Sequence, residues 1–211
     1  MSESDEVARA YDAVAGPYAE HFGDELDHKP VDRALLAMLA EEAIARGLPV
    51  ADLGAGPGHV AQWLDRRGAR AIAIDLAPEM VAQASARGIE AHAGDLRRLP
   101  LSDGSLGAAA MLYAIVHLDA ADLPAVFAEA RRVLAPGAAL LVSFHVGSDR
   151  VHLTEFLGAA VELTFRFFPS DTVVAAIEAA GLVVDARFER APHVPHEHPS
   201  TRGYVRARRP S

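Results

Sequence analysis

Three aspartates recur at similar intervals along the chain, each close to the end of a short apolar run. Asp75 follows Asp52 by 23 residues (75 − 52), and Asp95 follows Asp75 by 20 residues (95 − 75). An acid about 20 residues after a glycine turn can accept hydrogen bonds from the two hydroxyl groups of a ribose, and a carboxylate can accept from the amino group of adenine. The spacing predicts these two roles for Asp75 and Asp95. The alternatives are a helix cap for Asp75 and an ordinary glycine–aspartate turn at Asp95.

A glycine-rich turn, Gly54-Ala55-Gly56-Pro57-Gly58, follows the first predicted strand and precedes a predicted helix. Glycines let a backbone turn tightly and approach a ligand, and the helix directs its first N–H groups toward that ligand. The dinucleotide fingerprint G-x-G-x-x-G fails, because its third glycine would fall at His59. The position of the turn favours a ligand site, and a purely structural turn is the alternative.

The elements that must position these residues alternate between strand and helix, which is typical of a doubly wound α/β sheet. Ligands bind such sheets beyond the carboxyl ends of the strands. The predicted helices are residues 4–46 (more than one helix), 59–67, 78–87, 122–134 and 170–180. The predicted strands are residues 50–53, 71–74, 89–93, 106–112, 138–146, 182–188 and 204–207, the last two an antiparallel pair.

Composition excludes several classes of protein. The chain of 211 residues is 51% hydrophobic, as a single domain with a sizeable core would be, and it holds no cysteine, which fits a reducing cytoplasm. The acidic N-terminus and the lack of an apolar run of ~18 residues predict neither a signal peptide nor a membrane span. The net charge of −9 disfavours nucleic acid as a substrate. The basic cluster at Arg202, Arg206, Arg208 and Arg209 is interpreted as a solvated strand and tail.

Taken together, these motifs resemble the class I S-adenosylmethionine-dependent methyltransferases that act on small molecules. The resemblance covers residues 7–146. It rests on the 52–58 glycine motif, on Asp75-Leu76, on Asp95-Leu96, and on residues 99–106 and 131–137, which lead into the fourth and fifth strands. It implies a Rossmann-like, mostly parallel seven-stranded sheet with an antiparallel last strand and an N-terminal helical cover.

The resemblance also implies roles for residues around S-adenosyl-L-methionine. Asp52 would lie near the ammonium of the methionine moiety, and Met111, Leu112 and Tyr113 would line the sulfonium end. Tyr11 and Tyr18 would belong to the cover, unless they simply pack against the sheet. The predicted cofactor-binding residues are Tyr11, Tyr18, Asp52, Gly54, Ala55, Gly56, Asp75, Leu76, Asp95, Leu96, Leu112 and Tyr113.

His117 and His145 are the candidate catalytic residues, because they follow the fourth and end the fifth strand. Methyl transfer needs alignment of the reactants and exclusion of water, and it needs a general base only if the acceptor must lose a proton. An imidazole suits proton removal at neutral pH. The alternative is a histidine that packs at a loop or a helix start.

The sequence predicts one domain over residues 1–211, divided into four parts. Residues 1–48 form the N-terminal helices, 49–146 the cofactor-binding core, 147–169 the segment for acceptor specificity, and 170–211 the last helix and strand pair. Within the specificity segment, Phe156, Phe165, Phe167 and Phe168 could wall an acceptor pocket, or else belong to the core or to a dimer face. The histidine-rich loop 193–198 is interpreted as rigid and exposed rather than as a metal site.

The predicted function is methyl transfer to a small-molecule acceptor by a monomer or homodimer, without metal, membrane or nucleic acid. Two alternatives remain open. One is a module that binds the cofactor without turnover. The other is a nucleic-acid methyltransferase, for which the acidic charge is unsuited and an Asn-Pro-Pro-Tyr-like motif is missing after the fourth strand.

Overall fold

A computed structural model, which describes residues 3–211, shows a seven-stranded sheet with helices on both faces, in the order β3-β2-β1-β4-β5-β9-β8. The first five strands are parallel, and β9 runs antiparallel to β5 and β8. The α/β class and the antiparallel last strand predicted from the sequence are confirmed. The helices are α1 (Glu3–Phe22), α2 (Pro30–Arg46), α3 (His59–Asp65), α4 (Pro78–Ala86), α5 (Leu123–Val133) and α6 (Ser170–Ala179). The strands are β1 (Val50–Leu53), β2 (Ala71–Asp75), β3 (Glu90–Ala93), β4 (Leu106–Leu112), β5 (Leu134–His145), β6 (Arg150–Phe156), β7 (Ala159–Arg166), β8 (Val183–Arg190) and β9 (Arg202–Arg208).

Small residues in the central strands let helices pack closely on both faces of the sheet. Strand β4 carries three successive alanines, residues 108–110, and all of them are fully buried. Gly107 of this strand lies under α2, where an added Cβ would come within 3.0 Å of the Ala43 Cα. On the opposite face α5 buries Val126, Phe127 and Ala130 completely. The rigid sheet therefore fixes the positions of the strand ends.

Helix α1 covers the carboxyl ends of the strands rather than a face of the sheet. It packs against α4 and β7. The Glu79 N–H, in the first turn of α4, donates to Asp12 Oδ1 over 2.8 Å. At its beginning, Glu3 pairs with Arg166 of β7 at 2.6 Å. These contacts hold α1 as the helical cover that the resemblance implied.

A β-hairpin is the main element that the sequence analysis did not assign. Strands β6 and β7 form a separate two-stranded antiparallel sheet within the segment expected to set acceptor specificity. Its turn holds Leu157 (φ 49°) and Gly158 (φ 82°), both in the left-handed conformation of tight hairpin turns. Val161 and Leu163 pack under α1, against Ala10 and Val14, so the hairpin becomes stable through tertiary contact.

The predicted boundary between α5 and β5 also differs from the structure. The helix predicted to end at Leu134 ends at Val133, and β5 already begins at Leu134, so Pro136 and Gly137 lie within the strand. The N–H that a proline lacks is not needed there, because the pairing of β5 with β4 is irregular between Leu134, opposite Leu106, and Ala139, opposite Ala108. Within residues 3–211, none of the helices combines the length and the apolar character needed to cross a membrane.

Candidate active site

A cavity of about 440 Å³ lies where α1 and the β6–β7 hairpin cover the carboxyl ends of the parallel strands. One end, here called the acidic end, is bordered by the glycine turn together with Asp52, Asp75 and Asp95. The other, the aromatic end, is bordered by β5, the hairpin and residues 196–202. All of the predicted cofactor-binding residues and both candidate catalytic histidines line this cavity. Met111 and Phe168 do not, because both pack in the core.

The glycine turn is tied to the neighbouring strand. The N–H groups of Gly54 and Ala55 both donate to the carbonyl oxygen of Ile74, at 2.8 and 3.0 Å. Gly54 has φ of 78°, and a Cβ on it would lie 2.5 Å from the Cβ of Ala114. Both the conformation and the space therefore require glycine at this position.

Gly54→Ala is expected to destabilise the protein by about 1–3 kcal/mol, because a left-handed alanine is strained and its methyl group overlaps Ala114. Urea denaturation followed by circular dichroism measures this loss. Gly68→Ala is the matched control: Gly68 has φ of 84°, but an added Cβ there meets no atom within 4 Å. Equal losses in the two variants would show that the contact with Ala114 contributes nothing.

Asp75 organises the loops on either side of the acidic end. The Gly56 N–H donates to Oδ2 over 2.7 Å, and the Ala77 N–H donates to Oδ1 over 2.9 Å. Burial raises the pKa of the Asp75 carboxyl, while these two amides oppose the rise. The residue at the N-cap of α4 is Ala77, so the helix-cap interpretation of Asp75 is wrong. Each oxygen keeps acceptor capacity for a ligand.

Asp52 is a buried carboxylate that lacks a full set of partners. It is 2% exposed, and its Oδ2 has no hydrogen-bond partner among the described residues. Burial raises the pKa of Asp52 to about 7. Buried polar groups are nearly always satisfied in native proteins, so an unsatisfied one in a cavity wall indicates a missing donor or cation.

Asp95 already has a partner in the free protein. Oδ1 accepts from the backbone N–H and the Nε of Arg97, at 2.9 and 3.0 Å, and Oδ2 accepts from Nη2 at 2.7 Å. These contacts with Arg97 lower the pKa of the Asp95 carboxyl below its usual value. Oδ2 retains capacity for one more donor. The adjacent Leu96 borders the cavity beside it.

Sequence reasoning missed a charged cluster at the acidic end, formed by Glu25, Lys29 and His59. Glu25 lies 2.6 Å from Lys29 Nζ and 2.8 Å from His59 Nε2. Burial raises the pKa of Glu25, but the contacts with His59 and Lys29 outweigh it and bring the pKa to about 2. Nδ1 of His59 has no partner in the described chain. The only available signal was His59 itself, at the place of the missing third glycine.

His117 is held as a neutral imidazole. Its Nδ1 lies 2.9 Å from the Thr164 carbonyl oxygen, which can only accept, so Nδ1 carries the proton. Its Nε2 therefore accepts from the Tyr11 hydroxyl at 2.7 Å. Burial lowers the pKa of His117 to about 4, and the charge of Arg166 contributes to the lowering. Both ring nitrogens are engaged, so the geometry favours a positioning group over a general base.

His145 is fixed in the opposite tautomer. Nδ1 lies 2.9 Å from Nη1 of Arg202 and 2.7 Å from Oγ of Ser200. A guanidinium can only donate, and the Ser200 hydroxyl, which itself accepts from Arg202, can donate to the ring, so Nδ1 accepts and Nε2 carries the proton. Burial, followed by the charge of Arg202, lowers the pKa of His145 to about 3. The ring stacks on Phe167 with 4.8 Å between centroids. His145 thus presents a donor, not a base.

The aromatic end is walled mainly by the hairpin. Phe156, Phe165 and Phe167 line the cavity there, in agreement with the sequence analysis. Most of the 193–198 loop is exposed, as predicted, but Glu197 is 9% exposed and accepts two bonds from Arg190, at 2.6 and 2.8 Å. Among residues 3–211, no group of three or more histidine and acidic side chains is arranged to hold a metal ion.

A doubly wound sheet with a glycine turn after β1 and an acid at or near the carboxyl end of each of the first three strands defines the class I methyltransferase fold. Residues 50–137 match the family model described as a methyltransferase domain. The chain belongs to the S-adenosylmethionine-dependent methyltransferases of class I, whose cofactor is S-adenosyl-L-methionine.

Curated relatives and solved structures agree with this assignment. Trans-aconitate 2-methyltransferase of Mycobacterium tuberculosis is 46% identical over 31% of this chain and 26% of its own length. Malonyl-[acyl-carrier protein] O-methyltransferase of Pectobacterium atrosepticum is 31% identical over 82% of this chain and 66% of its own. The matched regions thus span only about a quarter to two thirds of these relatives. An S-adenosylmethionine-dependent methyltransferase from Mesorhizobium loti shares the fold, with a TM-score of 0.65 at 22% identity, over 84% of this chain and 96% of its own.

Proposed function

We propose that this protein transfers a methyl group from S-adenosyl-L-methionine to a small-molecule acceptor. The observation that carries the proposal is one continuous cavity in which an acidic, glycine-lined end meets an aromatic end. The relatives act in the same way, since their names describe methyl transfer to trans-aconitate and to a malonyl group on a carrier protein. The net charge of −9 also favours a small acceptor over nucleic acid.

The acidic end fits the cofactor. The unpartnered Oδ2 of Asp52 suits the ammonium of the methionine moiety, and the free lone pairs of Asp75 suit the ribose hydroxyls. Asp95 and Leu96 would hold the adenine through its amino group and its ring face. When bound, the cofactor supplies an electrophilic methyl group together with its own leaving group. Asp95 is already paired with Arg97, whereas Asp52 has an oxygen without any hydrogen-bond partner among the described residues. A ligand therefore satisfies more unused acceptor capacity at Asp52 than at Asp95.

The remaining residues would orient the acceptor and keep water out. Leu112 ends β4 and Tyr113 follows it, between the two ends of the cavity, where donor and acceptor would meet. Tyr11 and Tyr18 of α1 close the cavity from above, with 5.9 Å between their ring centroids. Exclusion of water and alignment of the two reactants are the main contributions a protein makes to such a transfer. The oligomeric state and the cytoplasmic location stay predictions.

Calorimetry with S-adenosylmethionine, followed by a labelled-methyl assay on a pool of small metabolites, tests this function. Binding together with label transfer to a small molecule is the expected result. Binding without transfer to any acceptor would favour the catalytically silent module. If neither the cofactor nor its demethylated product binds, the proposed function is wrong.

His117→Ala is expected to lower kcat about tenfold to a hundredfold while cofactor affinity changes little. The reason is that the Tyr11 hydroxyl loses the acceptor that orients it, and small misplacements at a reacting centre reduce rates by this order. Steady-state kinetics and calorimetry measure the two quantities separately. His152→Ala is the matched control, because its side chain is 54% exposed on the hairpin that His117 contacts through Thr164. A fall in affinity with unchanged turnover at saturation would contradict the role.

A further inference from the structure

The aromatic end of the cavity presents hydrogen-bond donors that lack a matching acceptor. Arg202 is 3% exposed, and its Nη1 and Nη2 donate only to uncharged acceptors, which are His145 Nδ1, the Ser200 hydroxyl and the carbonyl oxygens of Ser200 and His198. Its Nε has no hydrogen-bond partner among the described residues, and the carboxylate oxygen Glu197 Oε1 is 3.7 Å away. Both oxygens of Glu197 are already bonded to Arg190, and Oε2 also accepts from the His193 N–H. The charge of Arg202 is therefore only partly compensated within the protein, as expected of a group that awaits an anion.

Neighbouring groups add further hydrogen-bond donors and positive charge at this end of the cavity. His145 borders the same end of the cavity, and its Nε2 carries the proton because Arg202 and Ser200 both engage its Nδ1. A second cation, Lys29, lies 5.1 Å from the centroid of Tyr113, whose ring is 5.5 Å from Arg202. Lys29 is itself paired with Glu25, so Arg202 and His145 are the groups with unused capacity. An oxygen anion fits this set of donors, whereas an ammonium or another donor does not.

We propose that the acceptor is a carboxylic acid with an apolar body, bound through its carboxylate by Arg202 and His145 and methylated on a carboxylate oxygen. This inference rests on the proposed function. The apolar body would lie against the hairpin, where Phe156, Phe165 and Phe167 line the cavity. The arrangement of one charged anchor and an apolar wall is typical of sites for small amphipathic ligands.

The hydrogen bonds of the two histidines also favour a carboxylic acid as the acceptor. Neither His117 nor His145 has a free lone pair on its ring, since a tyrosine or an arginine donates to it. An alcohol must lose a proton to become a methyl ether and needs a base to take it. A carboxylic acid, with a pKa of about 4, is already ionised at neutral pH and needs none. His198 also borders this end. If it acted as a base, an alcohol could be the acceptor, and its methylation would release a proton.

The proposed methyl transfer neither consumes nor releases a proton. A carboxylate oxygen forms a bond to the methyl carbon while the carbon–sulfur bond breaks, and the electron pair of that bond remains on sulfur. The negative charge of the carboxylate and the positive charge of the sulfonium disappear together. The products are a neutral methyl ester and a thioether, and no proton is released, in contrast to methylation of an alcohol or an amine.

The experiment supplies the full-length chain with methyl-labelled S-adenosylmethionine and a panel of aryl-substituted and medium-chain carboxylic acids. The matching primary alcohols and amines form a parallel panel. The expected product loses its label as volatile methanol in mild alkali, and a dye in weak buffer reports no proton release. Alkali-stable label, or one proton per turnover, would overturn the proposal. If no acid is turned over, calorimetry on the protein loaded with S-adenosylhomocysteine decides, and failure of every acid to bind overturns it.

Variants locate the binding groups. Arg202→Gln is expected to reduce kcat/KM for the acid about tenfold to a hundredfold, the range for a lost hydrogen bond to a charged group. Its affinity for S-adenosylmethionine should stay within about twofold. Arg208→Gln is the control, because Arg208 lies on the same strand but pairs outward with Glu42 and Asp185. If Arg202→Gln melts early, His145→Phe replaces it, since the phenyl ring keeps the stacking on Phe167 and removes the donor.

Different results would contradict the proposed methyl transfer and the proposed carboxylic acid acceptor. A wild-type protein that binds no S-adenosylmethionine contradicts the proposed function. A protein that binds it and methylates only alcohols or amines contradicts the carboxylic acid alone. Unchanged kcat/KM in both Arg202→Gln and His145→Phe would remove these residues from the acceptor site.

Discussion

Replacement of Asp75 by alanine is expected to weaken binding of S-adenosylmethionine by more than about a hundredfold. Two ribose hydroxyls would lose a charged acceptor, and a hydrogen bond to a charged group contributes about 1.5–3 kcal/mol. The loss extends to the protein itself. The N–H groups of Gly56 and Ala77, now bonded to this carboxylate, would be left without partners, and the glycine turn would lose its attachment.

Calorimetry with S-adenosylhomocysteine measures the effect, and melting temperatures show whether the fold survives. Asp75→Asn separates the two contributions, because its amide oxygen can still accept from one backbone N–H while the charge is lost. Asp171→Ala is the control, since that side chain is 87% exposed. Affinity of Asp75→Ala equal to that of the wild type would show that the ribose is held elsewhere.

The acidic end was predictable because its signals are local. Gly54 and Asp75 stand at fixed distances from strand ends, and strand ends can be found from short apolar runs bounded by turn residues. Parallel pairing then brings the ends together without further information, since neighbouring strands finish at one edge of the sheet. That is why Asp52, Gly54, Asp75 and Asp95 all line the cavity.

The aromatic end was only partly predictable because its contacts are long-range. Lys29 and Arg202 are 173 residues apart (202 − 29) in sequence, yet their cationic groups lie near the same Tyr113 ring. No spacing rule links them. The hairpin was missed for a similar reason: no residue of β6 is buried, and packing of β7 under α1 is what completes the hairpin.

The chemistry of the histidines could not be read from the sequence either. Position after a strand placed His117 and His145 in the cavity wall, but their protonation depends on which partner reaches each nitrogen. For His117 the deciding partner is a backbone carbonyl, and for His145 it is an arginine from the far end of the chain. An unperturbed pKa near 6.5 suggested a base, whereas burial and these partners lower the pKa of both rings.

Asp52→Asn is expected to stabilise the ligand-free protein at pH 8 while it weakens the binding of S-adenosylmethionine. The folded protein at pH 8 buries an ionised carboxylate whose Oδ2 lacks a partner, and an unsatisfied buried group costs about 1–3 kcal/mol. The asparagine has the same shape without the charge. It also loses the attraction to the ammonium of the ligand, so stability and affinity should change in opposite directions.

The stability gained by Asp52→Asn depends on pH in a definite direction. The pKa of Asp52 is about 7 in the folded protein and near its ordinary, lower value when unfolded, so the folded state binds more protons between the two. Wild-type stability attributable to Asp52 therefore rises as the pH falls below 7. The advantage of Asp52→Asn should be largest at pH 8 and should shrink toward zero near pH 4.

Urea denaturation of the ligand-free wild type and variant at pH 8 and pH 5, together with calorimetry at pH 8, measures both effects. Comparing variant with wild type at each pH cancels the titration of His117 and His145, whose lowered pKa values act in the opposite direction. Asp103→Asn is the matched control, because that carboxylate is 79% exposed. A variant that is less stable than the wild type at pH 8 would mean that Asp52 is already satisfied in the free protein, and the ammonium would then need another partner.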